Sequence, residues 1–153
     1  MQITPQQGKS FWLITDRHTF KLVSADTGGA FTLIETVADP AAAPPPHIHH
    51  RQDETFYVLE GAVEFSLDGR TFTAGGGSVV HLPKGRLHSH RAAGNGKAKV
   101  LALYTPAGLE HFIEEAGTPV TDPAATPPPP AMPELEKIVA IAGKHGIEVP
   151  PPQ

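Results

Sequence analysis

The sequence predicts an all-β fold, a sandwich or closed barrel of short strands with two short helices near the C-terminus. Three observations predict it. Apolar and polar residues alternate over short runs, as in Val63, Phe65 and Leu67 against Glu64, Ser66 and Asp68. Turn-forming residues punctuate the runs at Gly28-Gly29, Asp68-Gly69, Gly75-Gly76-Gly77 and Gly94-Asn95-Gly96. Helical spacing of apolar residues starts only after Pro106.

Taken in order, Phe11 to Ile14 and His18 to Val23 are short strand candidates, and Ala30 to Val37 alternates as a strand should. Pro40 and the run Pro44-Pro45-Pro46 keep the chain extended up to His47. His47 and His49 point to the same face of a strand, with Ile48 opposite. Glu54 has the wrong parity for that same strand, so His50-Arg51-Gln52-Asp53 must be a turn or bulge that re-aims the chain. Thr55 to Leu59 is the next strand, and Asp68-Gly69 marks a hairpin after Val63–Leu67. A strand leads through Val79 and Val80 to Pro83-Lys84-Gly85 and restarts at His88; Lys97 to Tyr104 is the last. Leu109, Phe112 and Ile113 have helical spacing within Ala107–Ala116, and Gly117 is a reasonable stop. Thr118 to Pro133, centred on Pro127–Pro130, reads as a semi-stiff extended connector. Pro133 then opens a second helix, with Glu134 and Glu136 at its positive end and Lys144 and His145 at its negative end.

Three imidazoles (His47, His49, His88) and the Glu54 carboxylate suit a divalent transition metal, because imidazole and carboxylate together match Fe, Ni, Cu or Zn. A His-x-His pair is weak evidence in a chain with nine histidines. The framing residues give it weight. They resemble the two signature motifs of the cupin superfamily. In the first, His47, His49, Glu54 and Gly61 fall in register, and Ala41 stands where an opening Gly is expected. In the second, Gly77, Pro83, Gly85 and His88 match, and Ala92 replaces an Asn. Neither departure touches a ligand position. The motifs span residues 41 to 92, and the resemblance extends from about Phe11 to Pro106. It implies a double-stranded β-helix, the jelly-roll cupin barrel, with the metal inside. The domains expected are a barrel with the first helix over residues 1–118, a Pro-rich linker over 119–132, and a helix and tail over 133–153 that pack on the barrel or on a partner subunit.

Composition limits the function classes. At 153 residues the chain suits one core. A formal net charge of −4, with no Lys/Arg cluster longer than a pair, disfavours nucleic-acid binding. Without cysteine there is no thiolate metal site, disulfide or Cys nucleophile. The N-terminus lacks the pattern of a signal peptide and no apolar run reaches membrane-spanning length, so a cytoplasmic protein without membrane contact is expected. Phe56 and Val58 share a face with Glu54 while Tyr57 and Leu59 take the other, so both faces of that strand are apolar. A second layer or a second subunit should cover the outer face. Resemblance points to a homodimer as well.

The remaining histidines divide. His50 is expected at the surface; His90 shares the parity of His88 and is balanced between the cavity and a solvated rim; His81 is left open. His18, His111 and His145 read as surface or capping residues. Phe56, Val58, Phe65, Phe72 and Leu101 are candidates for an apolar pocket, with plain core packing the stronger reading.

Three neutral imidazoles and one carboxylate leave a divalent metal with net charge near +1, which favours an anionic ligand such as an enolate. Glu54 is the candidate catalytic base, if it can leave the metal. The chain resembles small single-domain bacterial cupins of the quercetin (flavonol) dioxygenase-like group, including its segment Thr105–Phe112. That resemblance implies a metal-dependent dioxygenase of an enolisable or flavonol-like small molecule, using Fe, Mn, Ni or Cu, with Zn possible. The alternatives are a redox-neutral isomerase or decarboxylase and a non-catalytic small-molecule-binding protein. A His-Glu-x-x-His helix is absent, which disfavours a metalloprotease.

Overall fold

The computed structural model describes residues 1–128 and 132–152. Residues 129–131 of the expected linker and residue 153 of the expected tail lie outside the described residues. The chain forms β1 (Ser10–Leu13), β2 (Asp16–Leu22), α1 (Ser24–Thr27), β3 (Thr32–Ala38), β4 (His47–His49), β5 (Asp53–Glu60), β6 (Ala62–Leu67) and β7 (Arg70–Gly75). It continues through β8 (Val79–Leu82), β9 (Leu87–Ala92), β10 (Ala98–Thr105), α2 (Leu109–Ala116), β11 (Thr118–Pro119), α3 (Met132–Lys144) and β12 (Ile147–Glu148). Two antiparallel sheets carry the strands in the orders β11-β1-β2-β3-β10-β5-β8 and β12-β4-β9-β6-β7. The all-β expectation holds.

Alternation makes the interior. In β3 every second residue (Thr32, Ile34, Thr36, Ala38) is buried, and in β10 the same holds for Ala98, Val100, Ala102 and Tyr104. These inward rows meet Phe56 and Val58 of β5 and Val63 and Phe65 of β6 in one apolar cluster. Each buried aromatic or branched side chain contributes about 1.5–3 kcal/mol relative to exposure. Asp68 and Gly69, both with positive φ (48° and 81°), form the two-residue turn joining β6 to β7, as the Asp-Gly pair predicts. Gly61 closes the β5–β6 turn at φ 74°, where a Cβ would come within 2.7 Å of the Lys97 carbonyl oxygen. The motif needs glycine at that position for a steric reason.

Three elements were not legible in the sequence: the short helix α1 and the two-residue strands β11 and β12. β12 adds to the free edge of β4, pairing Ile147 with His49. The outer face of β5 is left uncovered by the described residues, with Tyr57 45% and Leu59 40% exposed and the adjoining Val79 63% exposed. No helix among the described residues is long and apolar enough to cross a membrane.

Candidate metal centre

The turn inferred between His49 and Glu54 is a crossing between sheets. β4 belongs to the five-stranded sheet and β5 to the seven-stranded one, so Glu54 faces the histidines from the opposite wall. His88 is brought in by β9, which pairs His47 with His88 across the ladder. The Pro-x-Gly turn before β9 is tied down because Gly85, at φ 79°, donates its N–H to the His49 carbonyl at 2.8 Å.

All four sequence-predicted residues converge. His47, His49, Glu54 and His88 each offer one ligand atom, and these atoms lie within 4.8 Å of one another. The His49 and His88 rings are parallel at 5.5 Å, and His47 stands edge-on to both. His49, Glu54 and His88 are no more than 5% exposed. Two hydrogen bonds set the tautomers. A carbonyl can only accept, so Nδ1 of His47 donates to the Pro45 carbonyl (2.9 Å) and Nδ1 of His88 to the Arg86 carbonyl (3.2 Å). Each then presents a bare Nε2 lone pair to the cluster, the arrangement seen when a backbone carbonyl orients a metal-binding imidazole. Glu54 Oε2 and His88 Nε2 approach to 2.7 Å, yet neither has an aligned hydrogen-bond partner. Buried orphaned acceptors are costly unless something cationic sits between them. The donor set and its orphaned atoms fit a divalent metal ion.

Electrostatics agree. Burial drives the His47 imidazole down to about 3, aided by its His49 neighbour, so it stays neutral and available as a ligand. His49 is lowered by burial too. Burial alone would raise Glu54, but the imidazoles of His49, His88 and His47 outweigh it and hold the carboxyl well below its usual range. It is a carboxylate here.

The cluster opens onto a cavity of about 250 Å³. Its walls include Leu13, Ile14 and Phe56 of the barrel, Phe112 of α2, and Ile138 and Ile147 of the C-terminal segment. The expectation for that segment is packing on the barrel or on a partner subunit; its Ile138 and Ile147 line the cavity. His90 resolves to the interior, its ring 5.0 Å from Phe56 and its edge on the cavity. His18 corrects the surface reading: it is 9% exposed, bonds Thr36 Oγ1 through Nδ1 at 2.9 Å, and lines the same cavity. Its alternation with Phe20 in β2 was the available signal. His50 is at the surface as expected, pairing with Glu148 at 2.6 Å. His81 is exposed and pairs with Thr55, and His111 is exposed as well. Of the pocket candidates, Phe56 lines the cavity, Val58 and Phe65 are core, Leu101 points away from it, and Phe72 is 40% exposed against Phe65.

Asp16 and Tyr104 were missed. Tyr104 sits directly opposite Glu54 in the β10–β5 ladder. Burial and the Glu54 carboxylate push its phenol well above the ordinary value, so it keeps its proton. Asp16 is buried on the cavity wall, and burial raises its carboxyl to about 7. No motif spacing marks either residue; the strand register does.

A cupin-domain family model matches residues 34–104. The chain is 27% identical over 116 residues to quercetin 2,3-dioxygenase of Bacillus subtilis, covering 74% of this chain and 34% of that protein. It is 36% identical over 72 residues to germin-like protein 1-1 of Oryza sativa subsp. japonica, covering 42% of this chain and 32% of that one. It thus spans about a third of the length of the curated relatives it matches. A solved structure from Thermotoga maritima, described as a predicted oxalate decarboxylase, superposes with a TM-score of 0.62 at 19% identity. The match covers 69% of this chain and 99% of that one, and at such identity it speaks for the double-stranded β-helix alone.

Proposed function

The chain belongs to the cupin superfamily, and on that premise we propose a metal-dependent dioxygenase acting on an enolisable, flavonol-like small molecule. His47, His49 and His88 through imidazole nitrogen, and Glu54 through its carboxylate, would hold the divalent metal. One observation carries the reading: buried, unpartnered ligand atoms of Glu54 and His88 converge beside a cavity whose remaining wall is largely apolar. Bound there, Fe, Mn, Ni or Cu would supply a cationic centre with net charge near +1 for an enolate and for dioxygen chemistry. Similarity to quercetin 2,3-dioxygenase supports the substrate class.

The chain's own residues do the rest. The apolar wall excludes water and holds a planar organic body beside the cluster. Glu54, ringed by imidazoles, is a carboxylate whose basicity rises only when it turns away from His49 and His88; turned, it takes the enol proton of the substrate. Tyr104 keeps its phenolic proton and can donate a hydrogen bond toward that carboxylate or toward a substrate oxygen.

The test starts with elemental analysis of protein purified without chelator. Near-stoichiometric Fe, Mn, Ni or Cu with oxygen uptake on flavonols supports the reading. Zinc alone, with no oxygen uptake after reconstitution with the redox metals, turns it to redox-neutral Lewis-acid chemistry. Replacing His88 with Ala should cut metal content at least tenfold while leaving a folded barrel; unchanged content would remove His88 from the ligand set. Glu54→Gln should lower turnover more than substrate affinity; equal turnover rejects the base.

We also place a second copy of this chain on the exposed strip of Tyr57, Leu59 and Val79. Sedimentation at micromolar concentration decides between dimer and monomer.

A further inference from the structure

A second polar pair faces the cavity from the β2 wall, apart in sequence from the four candidate ligands. Asp16 accepts the Asp39 N–H through Oδ1 at 2.8 Å, and its other oxygen makes no hydrogen bond among the described residues. His18 is occupied at Nδ1 by Thr36, and its Nε2 has no described partner. Both residues line the cavity, and both are less than a tenth exposed.

The turn that delivers them is strained. Ile14, between β1 and β2, has φ 59°, a value a β-branched residue rarely adopts, and it also lines the cavity. Its neighbour Thr15 has a buried Oγ1 without a partner. A strained, incompletely satisfied turn is unfavourable and tends to persist where the surrounding structure or function holds it. Leu13, Ile14 and Phe112 supply apolar surface in the same cavity.

We propose that Asp16 and His18, on a strand that carries none of the metal-binding residues, recognise a neutral hydroxyl on an otherwise apolar ligand. This rests on the reading of the cavity as a substrate site and assigns to these two residues the hydroxyl of a phenol or similar ring. A hydroxyl both donates and accepts, so it can satisfy a carboxyl and an imidazole together whichever tautomer His18 adopts. A carboxylate would meet a second carboxylate wherever Asp16 is ionised, as it partly is near neutral pH with its carboxyl raised by burial to about 7. An ammonium would lose its water beside a His18 that burial keeps neutral, lowered to about 4, and an Asp16 that burial leaves only partly ionised, raised to about 7.

The test uses the whole 153-residue chain, metal-free, and two probes of one shape, 4-ethylphenol and ethylbenzene, with affinities from calorimetry and from imidazole ¹⁵N shifts. The wild type should prefer the phenol by about tenfold, the value of one well-made hydrogen bond. Asp16→Ala and His18→Phe should each bring the ratio near one while leaving ethylbenzene binding within twofold. Asp16→Asn, which can still donate and accept, should retain the preference. A structural role alone would weaken both probes together. No preference in the wild type, or a preference unchanged by both disruptive variants, overturns the proposal. Should flavonols fail to turn over while the phenol preference holds, the dioxygenase reading falls and this one stands.

Discussion

Asp16 shows how a single residue can set the pH response of this fold. Its carboxyl is buried with one backbone donor, and burial raises it from 3.8 to about 7. A carboxyl whose folded value is raised binds its proton more tightly in the native state, so its contribution is full below about 4 and is lost as pH rises toward 7. Asp39 from the β3–β4 connection, His18 on the same strand and the Tyr104 phenol are the titratable neighbours. Across three pH units the upper bound is about 4 kcal/mol, at ~1.4 kcal/mol per unit. Asp16→Asn carries no such penalty and should be more stable than the wild type by about 1–3 kcal/mol at pH 8, and level with it near pH 4. Urea melts at the two pH values measure this; parallel shifts would show that Asp16 titrates normally. The ligand residues were legible at this scale because spacing and framing glycines mark them. Asp16 and Tyr104 were not, since an inward polar residue outside a motif is recognised only once its ladder partner is known; for His18 the alternation with Phe20 was the one signal.

Among the elements, α2 and the C-terminal segment determine how well the site is walled. Glu110, at the start of α2, is 2% exposed and accepts from the Ser24 N–H (2.7 Å), the Ser24 hydroxyl, the Thr32 hydroxyl (2.5 Å) and the Gly108 N–H (3.1 Å). Burial alone would raise this carboxyl, but the Ser24 and Thr32 hydrogen bonds hold it down to about 2. One side chain thus ties α1, β3 and α2 together. Glu110→Ala would strand several buried donors and should destabilise by roughly 2–4 kcal/mol, read from the chemical-denaturation midpoint. A loss under 1 kcal/mol would mean that water replaces the carboxylate. The sequence showed α2 by its spacing, but Glu110 looked like any first-turn acid. At the other end, Gly146 at φ 74° turns the chain from α3 into β12 and gives its carbonyl to the His50 N–H at 2.9 Å. Gly146→Ala incurs the left-handed strain of about 1–2 kcal/mol and loosens β12 from the edge of β4, which carries two candidate ligands. Faster loss of metal to a chelator is the expected sign. A two-residue strand has no periodicity to read, so β12 escaped the sequence analysis.

For the whole molecule, the interior of the barrel holds more imidazole than a stable apoprotein tolerates in acid. His47 is lowered by burial to about 3, His18 and His90 to about 4, and His49 is lowered likewise. Groups whose folded values are depressed contribute stability that is present above their unfolded value near 6.5 and lost as pH falls toward the folded values. At pH 5 His47, His18 and His90 each represent roughly 2 kcal/mol, and together they are comparable with the 5–15 kcal/mol that a domain of this size commands. Asp16 works in the opposite direction but is a single group. The metal-free protein should therefore lose thermal stability steeply between pH 6.5 and 4.5. A metal ion that binds only the folded cluster adds about 2.7 kcal/mol at a hundredfold excess over its Kd, and protons compete with it for the same nitrogens. Adding Ni or Mn should therefore raise Tm by several degrees at pH 7.5 and by much less at pH 5. His88→Ala should abolish that metal-dependent rise while keeping the acid transition, because His18, His47, His49 and His90 remain buried. If His88→Ala is stabilised by metal as strongly as the wild type, the ion binds elsewhere and the cluster is a set of buried histidines around a carboxylate.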